Sequence, residues 1–302
     1  MKELLNNYIR YLELERSISP FTVRNYTTDI RDFLCFLEDN DIDTLDKVNR
    51  SAIRQYLRQL HERGVARASI SRRLSALRSF YRYLVQENIV DSDPLSTVSA
   101  PKLAKRLPTF LTAEEMPQLL DAPTNSTPQG LRDRAILELL YAAGLRVSEL
   151  VALDLKDIDI DLRELRVWGK GSKERLVLMG KPAAAALRLY LDLGRMKLQG
   201  KTNTQAVFLN RFGERISERR IQHITRNYAR QAGLDMRLHP HILRHTFATH
   251  LLDGGADLRV VQDLMGHAQL SSTQIYTHVT QSQIRRTYLA AHPRSGTGKV
   301  EQ

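Results

Sequence analysis

The chain has 302 residues with 42% hydrophobic content, enough for one large or two ordinary domains with real cores. Its N-terminal stretch MKELLNNYIRYLELER mixes acids and bases where a signal peptide needs an apolar run, and no later segment approaches the ~20 apolar residues of a membrane span, so a secreted or membrane role is not expected. One cysteine, Cys35, excludes an internal disulfide and suits a reducing compartment, and a net charge of +11 narrows the partners to nucleic acid, an acidic membrane surface or another polyanion.

The charge is unevenly placed. Residues 1–46 hold five basic and ten acidic residues, whereas residues 47–82 hold one lysine and nine arginines against the single acid Glu62. A localised excess of that kind is what a binding face requires.

In chain order, Ser19 and Pro20 read as the start of a helix on which Val23, Tyr26, Ile30, Phe33, Leu34 and Leu37 recur at helical spacing. Cys35, inside DFLCFL, reads as a buried thiol. SAIRQYLRQLHERG is a further helix stopping at Gly64, with Arg50 and Arg54 at its start. ASISRRLSALRSFYRYLV places Ile70, Leu74, Leu77, Tyr81 and Leu84 on one stripe and Arg72, Ser75, Ser79 and Arg82 on the opposite one. Arginine alternating with small hydroxyls suits phosphate and base-edge contacts, although a merely solvated basic face would look the same.

Between Asp91 and Pro108 the periodicity fails and prolines and basic residues cluster. Residues 90–107 therefore read as an extended linker, separating a helical domain at 1–89 from a second domain at 108–290 with a tail at 291–302. Thr112 and Glu115 form a capping box at the start of the second domain. LRDRAILELLYAA ends at Gly144, and RVSELVAL starts the next helix. LRELRVWGKGSKERLVLM alternates on both sides of a Gly-Lys-Gly turn, as an antiparallel hairpin does, and helices resume from Ala183. No phosphate loop or dinucleotide fingerprint is present, so no nucleotide cofactor is expected.

Five short stretches could carry chemistry. HPHILRHTFATH, residues 239–250, holds four histidines and one arginine. A metal site is disfavoured there: Ile242 stands where an HExxH motif needs glutamate, no cysteine or third acidic ligand is in register, and Arg244 places a fixed cation on the same helical surface. His241 and Arg244, three apart, could instead share one phosphoryl group. Taken alone, the stretch still reads more readily as packing histidines. Arg146 follows Gly144 at the start of a new helix, where backbone N–H groups also favour an anion. Lys170, between Gly169 and Gly171, could reach a substrate, though by itself it reads as a solvent-facing turn lysine. His267 follows Gly266, and Tyr276 stands nine residues further on.

Together AAGLRVSEL, WGKGSKER, HPHILRHTFATHLL, LMGHAQLSSTQIYTHV and RRTYLAAHPR resemble the tyrosine site-specific recombinases, the phage integrase family, and in particular the Xer type, over nearly the whole chain. Trp168, Leu178 and Met265 depart from the common pattern at positions that are not catalytic. The resemblance implies a mainly α protein with a small antiparallel β-hairpin or sheet (α+β), made of an N-terminal helical core-binding bundle and a tyrosine-recombinase catalytic domain. It implies that Tyr276 is the nucleophile, that Arg146 and Arg244 clamp the phosphoryl oxygens, that His241 is a base and Lys170 an acid, and that His267 donates a hydrogen bond. No metal or other cofactor is implied. Arg50, Arg54, Arg72, Ser75, Ser79, Arg82 and Lys173 become the expected DNA contacts. The implied partner is a double-stranded DNA recombination site clamped between the two domains by a recombinase tetramer, of one chain or of two paralogues. The C-terminal segment, with Ile284, Tyr288 and Leu289, would dock on a neighbouring protomer, with a DNA translocase a candidate activator. The expected location is cytoplasmic, with the nucleoid, and the implied role is resolving chromosome or plasmid dimers. A phage or mobile-element integrase, a type IB topoisomerase and a noncatalytic DNA-binding relative are the alternatives.

Overall fold

The computed structural model describes residues 1–14, 18, 20–99, 110–168, 174–201, 203–234, 238–266 and 281–295. The chain forms two compact units, residues 1–107 and 108–302.

The first unit is helical: α1 (Lys2–Leu14), α2 (Pro20–Asp39), α3 (Arg50–Glu62) and α4 (Arg67–Gln86). Asn49 caps α3 by accepting the N–H groups of Ser51 and Ala52 through Oδ1, and Gly64, at φ 70°, ends the turn beyond it. The stripes predicted for α2 and α4 face the core, with Ile30, Phe33, Leu74 and Leu77 fully enclosed and Tyr26 half-buried. Tyr8, Tyr11, Phe80 and Tyr83 form an aromatic cluster joining α1 to α4.

Two expectations fail here. Cys35 is exposed. On a helix it stands about 150° from the centre of the stripe set by Ile30, Phe33, Leu34 and Leu37, so the apolar run around it misleads when read without its period. The linker also does not begin at residue 90. Val90, Leu95 and Val98 are buried in the first unit's core, and Arg78 donates to the carbonyl of Val98. Each such side chain gains roughly 1.5–3 kcal/mol on burial, which holds an aperiodic segment in place without any helix.

The second unit is built on α6 (Pro128–Ala142), preceded by α5 (Glu115–Asp121). Twelve of the fifteen residues of α6 are buried, so the helix is surrounded by the others. The Thr112–Glu115 capping box is present, with Thr112 N–H donating to Glu115 Oε2 at 2.9 Å and Glu115 N–H to Thr112 Oγ1 at 3.3 Å. After α7 (Val147–Ala152) comes a three-stranded antiparallel sheet, β1 (Ile158–Asp159), β2 (Glu164–Trp168) and β3 (Glu174–Leu178), in that spatial order. Leu165 lies opposite Val177 and Val167 opposite Arg175. Then follow α8 (Lys181–Leu189), a wider π-type turn at Tyr190–Arg195, α9 (Met196–Gln199), α10 (Glu218–Gln231), α11 (Pro240–Asp253), α12 (Leu258–Met265) and α13 (Gln281–Ala291). No helix among the described residues is long and apolar enough to cross a membrane.

The C-terminal segment differs from a free docking arm and tail. Tyr288 is buried in the chain's own core and donates its hydroxyl to the carbonyl of Ala142 at 2.9 Å; Ile284 and Leu289 pack against the same core. Ala291, His292 and Ser295 are buried too, and Arg294 reaches Glu138 on α6 at 2.6 Å. The ring of His292 stacks on Tyr288 and lies against Tyr141 and Phe247. Ala291, His292 and Ser295 are therefore part of the second unit's interior, with Pro293 exposed between them.

Candidate active site

The site begins at the elbow between α6 and α7. Gly144 has φ 56°, and a Cβ there would stand 2.4 Å from the Phe247 ring of α11. Only glycine allows both the left-handed turn and the close approach. The elbow directs the carbonyl of Gly144 towards Arg244 on α11, which donates to it through Nη1. Arg244 Nη2 donates to the carbonyl of Met265 at the end of α12. Arg244 is buried, and burial, followed by the charge of Arg146, brings its guanidinium down to about 10.

Arg146 is the residue that caps α7. The anion position expected at that helix start is already filled from within: Glu149 Oε2 accepts the backbone N–H of Arg146 at 2.8 Å, and Glu149 Oε1 accepts its Nη1 at 2.7 Å. Arg146 Nη2 donates to the carbonyl of Gly266 at 3.2 Å. Arg175 of β3 completes the cluster by donating Nη1 and Nη2 to the two oxygens of Glu149, each at 2.8 Å. Burial pushes the Glu149 carboxyl up, but the hydrogen bonds from Arg175 and from the Arg146 backbone outweigh it and hold the group below its ordinary value. Arg146, Arg175 and Arg244 thus place three positive charges around one carboxylate, an arrangement whose unbalanced charge favours an added anion.

His241 stands one residue inside α11, exposed beside Arg146. His239 caps α11, and its ring centroid is 5.9 Å from that of His241. Both line a cavity of about 310 Å³ with Arg146, Ser148 and three residues of α10, Glu218, Gln222 and Arg226. Burial, then the charges of His241 and Arg226, hold His239 below its ordinary value. His239 therefore belongs to the wall of this cavity rather than to the scaffold. His250 does pack inside, its Nδ1 2.8 Å from the hydroxyl of Tyr141, and His245 is half-buried with its ring edge-on to Phe110.

Sequence reasoning missed α10. The helix exposes Arg219, His223, Arg226 and Arg230 along one stripe, with Gln222 half-buried beside them, while Ile221, Ile224 and Thr225 face the core. The signal was present, since ERRIQHITRNYARQ carries four arginines at helical spacing. Among the described residues, no group of three His, Cys, Asp or Glu side chains is placed to hold a metal.

In the first unit, Arg50, Arg54, Ser75 and Arg82 are exposed and Ser79 is half-buried, with Ser75 Oγ bonded to the carbonyl of Ser71. Arg72 is less available than the sequence suggests, because it is paired with the buried carboxylate of Asp29. Burial raises Asp29 against the pull of Arg72 and Arg73. Lys170, Lys173, His267 and Tyr276 lie outside the described residues.

The pattern of the phage integrase family matches residues 109–283, and that of the phage integrase N-terminal SAM-like domain matches residues 5–88. The chain is 47% identical to tyrosine recombinase XerC of Pelotomaculum thermopropionicum over 301 residues, covering 96% of this chain and 98% of that protein. It is 45% identical to tyrosine recombinase XerC of Bacillus pumilus, covering 97% of each. Among solved structures, the XerH site-specific recombinase bound to palindromic difH substrate in a post-cleavage complex is 21% identical. That alignment has a TM-score of 0.69 and covers 91% of this chain and 77% of that one, a likeness of fold.

Proposed function

The chain belongs to the phage integrase family of tyrosine recombinases, in its Xer branch, and from that premise we propose that it cuts and rejoins DNA at specific sites through a covalent bond at Tyr276. The observation that carries the reading is the joining of Arg146 and Arg244, about a hundred residues apart in sequence, around one buried carboxylate with positive charge in excess.

The Tyr276 hydroxyl oxygen attacks a phosphodiester phosphorus. The bond to the 5′-oxygen breaks, leaving a 3′-phosphotyrosyl enzyme and a free 5′-hydroxyl. Arg146 and Arg244 hold the nonbridging oxygens and stabilise the charge that develops on them in the pentacoordinate transition state. An ordinary tyrosine titrates near 10, so the phenol must lose its proton during attack. His241 is the group to accept it, Lys170 supplies a proton to the departing 5′-oxygen, and His267 donates a hydrogen bond to the phosphoryl group. The 5′-hydroxyl of an exchanged strand then attacks the phosphotyrosyl phosphorus and releases Tyr276. One ester replaces another at each step, so the strands reseal without ATP. Arg226 and Gln222, beside Arg146, suit contacts with DNA flanking the scissile phosphate.

The protein acts in this reading as a tetramer on two duplexes, in the cytoplasm, resolving chromosome or plasmid dimers; the XerC names of its relatives and its near-complete coverage of them support that role. The test is Tyr276→Phe on a nicked suicide duplex, selected by covalent capture from a randomised library on the unaltered chain. No covalent adduct should form, and an adduct at the unaltered level refutes the assignment.

A further inference from the structure

We infer that Arg175, on β3, is a positioning residue that sets the Arg146 guanidinium for phosphate binding, acting through Glu149. The inference rests on the reading of Arg146 as a phosphate clamp.

Glu149 is almost wholly enclosed, its side chain 3% exposed, yet it stays ionised between Arg175 and Arg146. A carboxylate offers about four acceptor sites, and here four donors fill them: Nη1 and Nη2 of Arg175, and Nη1 and the backbone N–H of Arg146. The two Arg175 bonds are equal at 2.8 Å, the paired geometry by which a guanidinium fixes the plane of a carboxylate. With that plane fixed, Arg146 is held at its backbone and at Nη1 together, and its Nη2 is brought to the carbonyl of Gly266.

A second contact reaches the same place. A Cβ on Gly266 would stand 3.1 Å from Cδ, Cζ and Nε of Arg175, so the guanidinium lies flat against this glycine at the end of α12. Arg175 Nε is buried and has no hydrogen-bond partner among the described residues, and Gly266 packs beside it. Arg175 thus joins three elements: β3, which follows Lys170 by a few residues in sequence; α7, which Arg146 caps; and the turn that precedes His267. Lysine cannot replace it, because an ammonium is a point charge that cannot grip both oxygens of Glu149 in one plane.

The test is a double-mutant cycle on single-turnover cleavage of the captured suicide duplex, with the full-length chain, using Arg175→Lys, Arg146→Lys and both. Arg175→Lys keeps the charge, so it is expected to bind the duplex with an unchanged Kd while cleaving about 10²-fold more slowly, as expected for a displaced reacting group. In the Arg146→Lys background the same change should cost less than about 3-fold, because its route to the phosphate is already broken. Arg175→Met, with thermal melting confirming a folded chain, gives the same comparison without the charge. Equal losses in both backgrounds, or wild-type cleavage by Arg175→Lys, overturn the inference while leaving the clamp intact. Wild-type cleavage by Arg146→Lys overturns the clamp and the inference together.

Discussion

His292 offers a quantitative test of how the C-terminal segment is held. Its ring is stacked 5.1 Å from that of Tyr288, lies 4.9 Å from Tyr141 and 5.4 Å from Phe247, and is 3% exposed. Burial, then the neighbouring charge of His250, takes the imidazole from 6.5 down to about 3. A group depressed in the folded state contributes stability that is whole above its unfolded value and is lost as pH falls. The interval from 6.5 to about 3 corresponds to about 5 kcal/mol at 1.36 kcal/mol per pH unit, of which about 2 kcal/mol is lost between pH 7.5 and about pH 5. Glu138, raised by burial to about 6, has the opposite sign: its contribution is whole below 4.5 and is lost as pH rises through about 6. Over the same interval it returns about 1 kcal/mol on acidification. His292→Phe keeps a ring against its three neighbours and cannot be protonated. Urea unfolding of both proteins at the two pH values isolates His292, since the other groups titrate in both. The stability difference should move by about 2 kcal/mol in favour of the variant at the lower pH. Parallel pH profiles would refute the claim that a neutral buried imidazole anchors residues 291–295.

Three further outcomes follow from the geometry. Gly144→Ala forces a left-handed alanine against the Phe247 ring and should cost the second unit about 3 kcal/mol, a fall in Tm of about 6–12 °C by calorimetry. Leu95→Ala should destabilise the first unit by about 2–5 kcal/mol in urea unfolding, because Leu95 is a core residue despite its aperiodic surroundings. Arg226→Ala should weaken binding of the captured duplex and reduce the magnitude of the log Kd against log salt slope by about 1, measured by fluorescence anisotropy.

Much of the architecture was legible because it is periodic. The stripes of α2 and α4, the alternation around residues 169–171 and the Thr112–Glu115 box each follow from local rules. β1 was not legible: two residues carry no alternation, and the strand exists only because β2 offers it an edge. The burial of residues 90–98 and of Tyr288 was hidden for the same reason, since isolated apolar side chains declare no face until a core receives them.

At the site, the motifs pointed to Arg146, His241 and Arg244, but not to what holds them. Glu149 stands three residues beyond Arg146, at a capping-box spacing that local rules cover, but Arg175 is 26 positions further on, so its meeting with Glu149 is tertiary and no spacing rule reveals it. HPHILRHTFATH taken alone reads as packing histidines, but His239 caps α11 and lines the cavity instead. Arg72 shows the reverse: an arginine on a basic face can already be held by a buried aspartate.

The covalent bond from Tyr276 to DNA can be read directly by mass spectrometry of the trapped adduct. Trypsin releases residues 260–285 as one peptide, in which Tyr276 is the only tyrosine. After nuclease digestion, a nucleotide joined to that peptide at Tyr276 through its 3′-phosphate is expected. A nucleotide on any other residue, or joined through a 5′-phosphate, contradicts it.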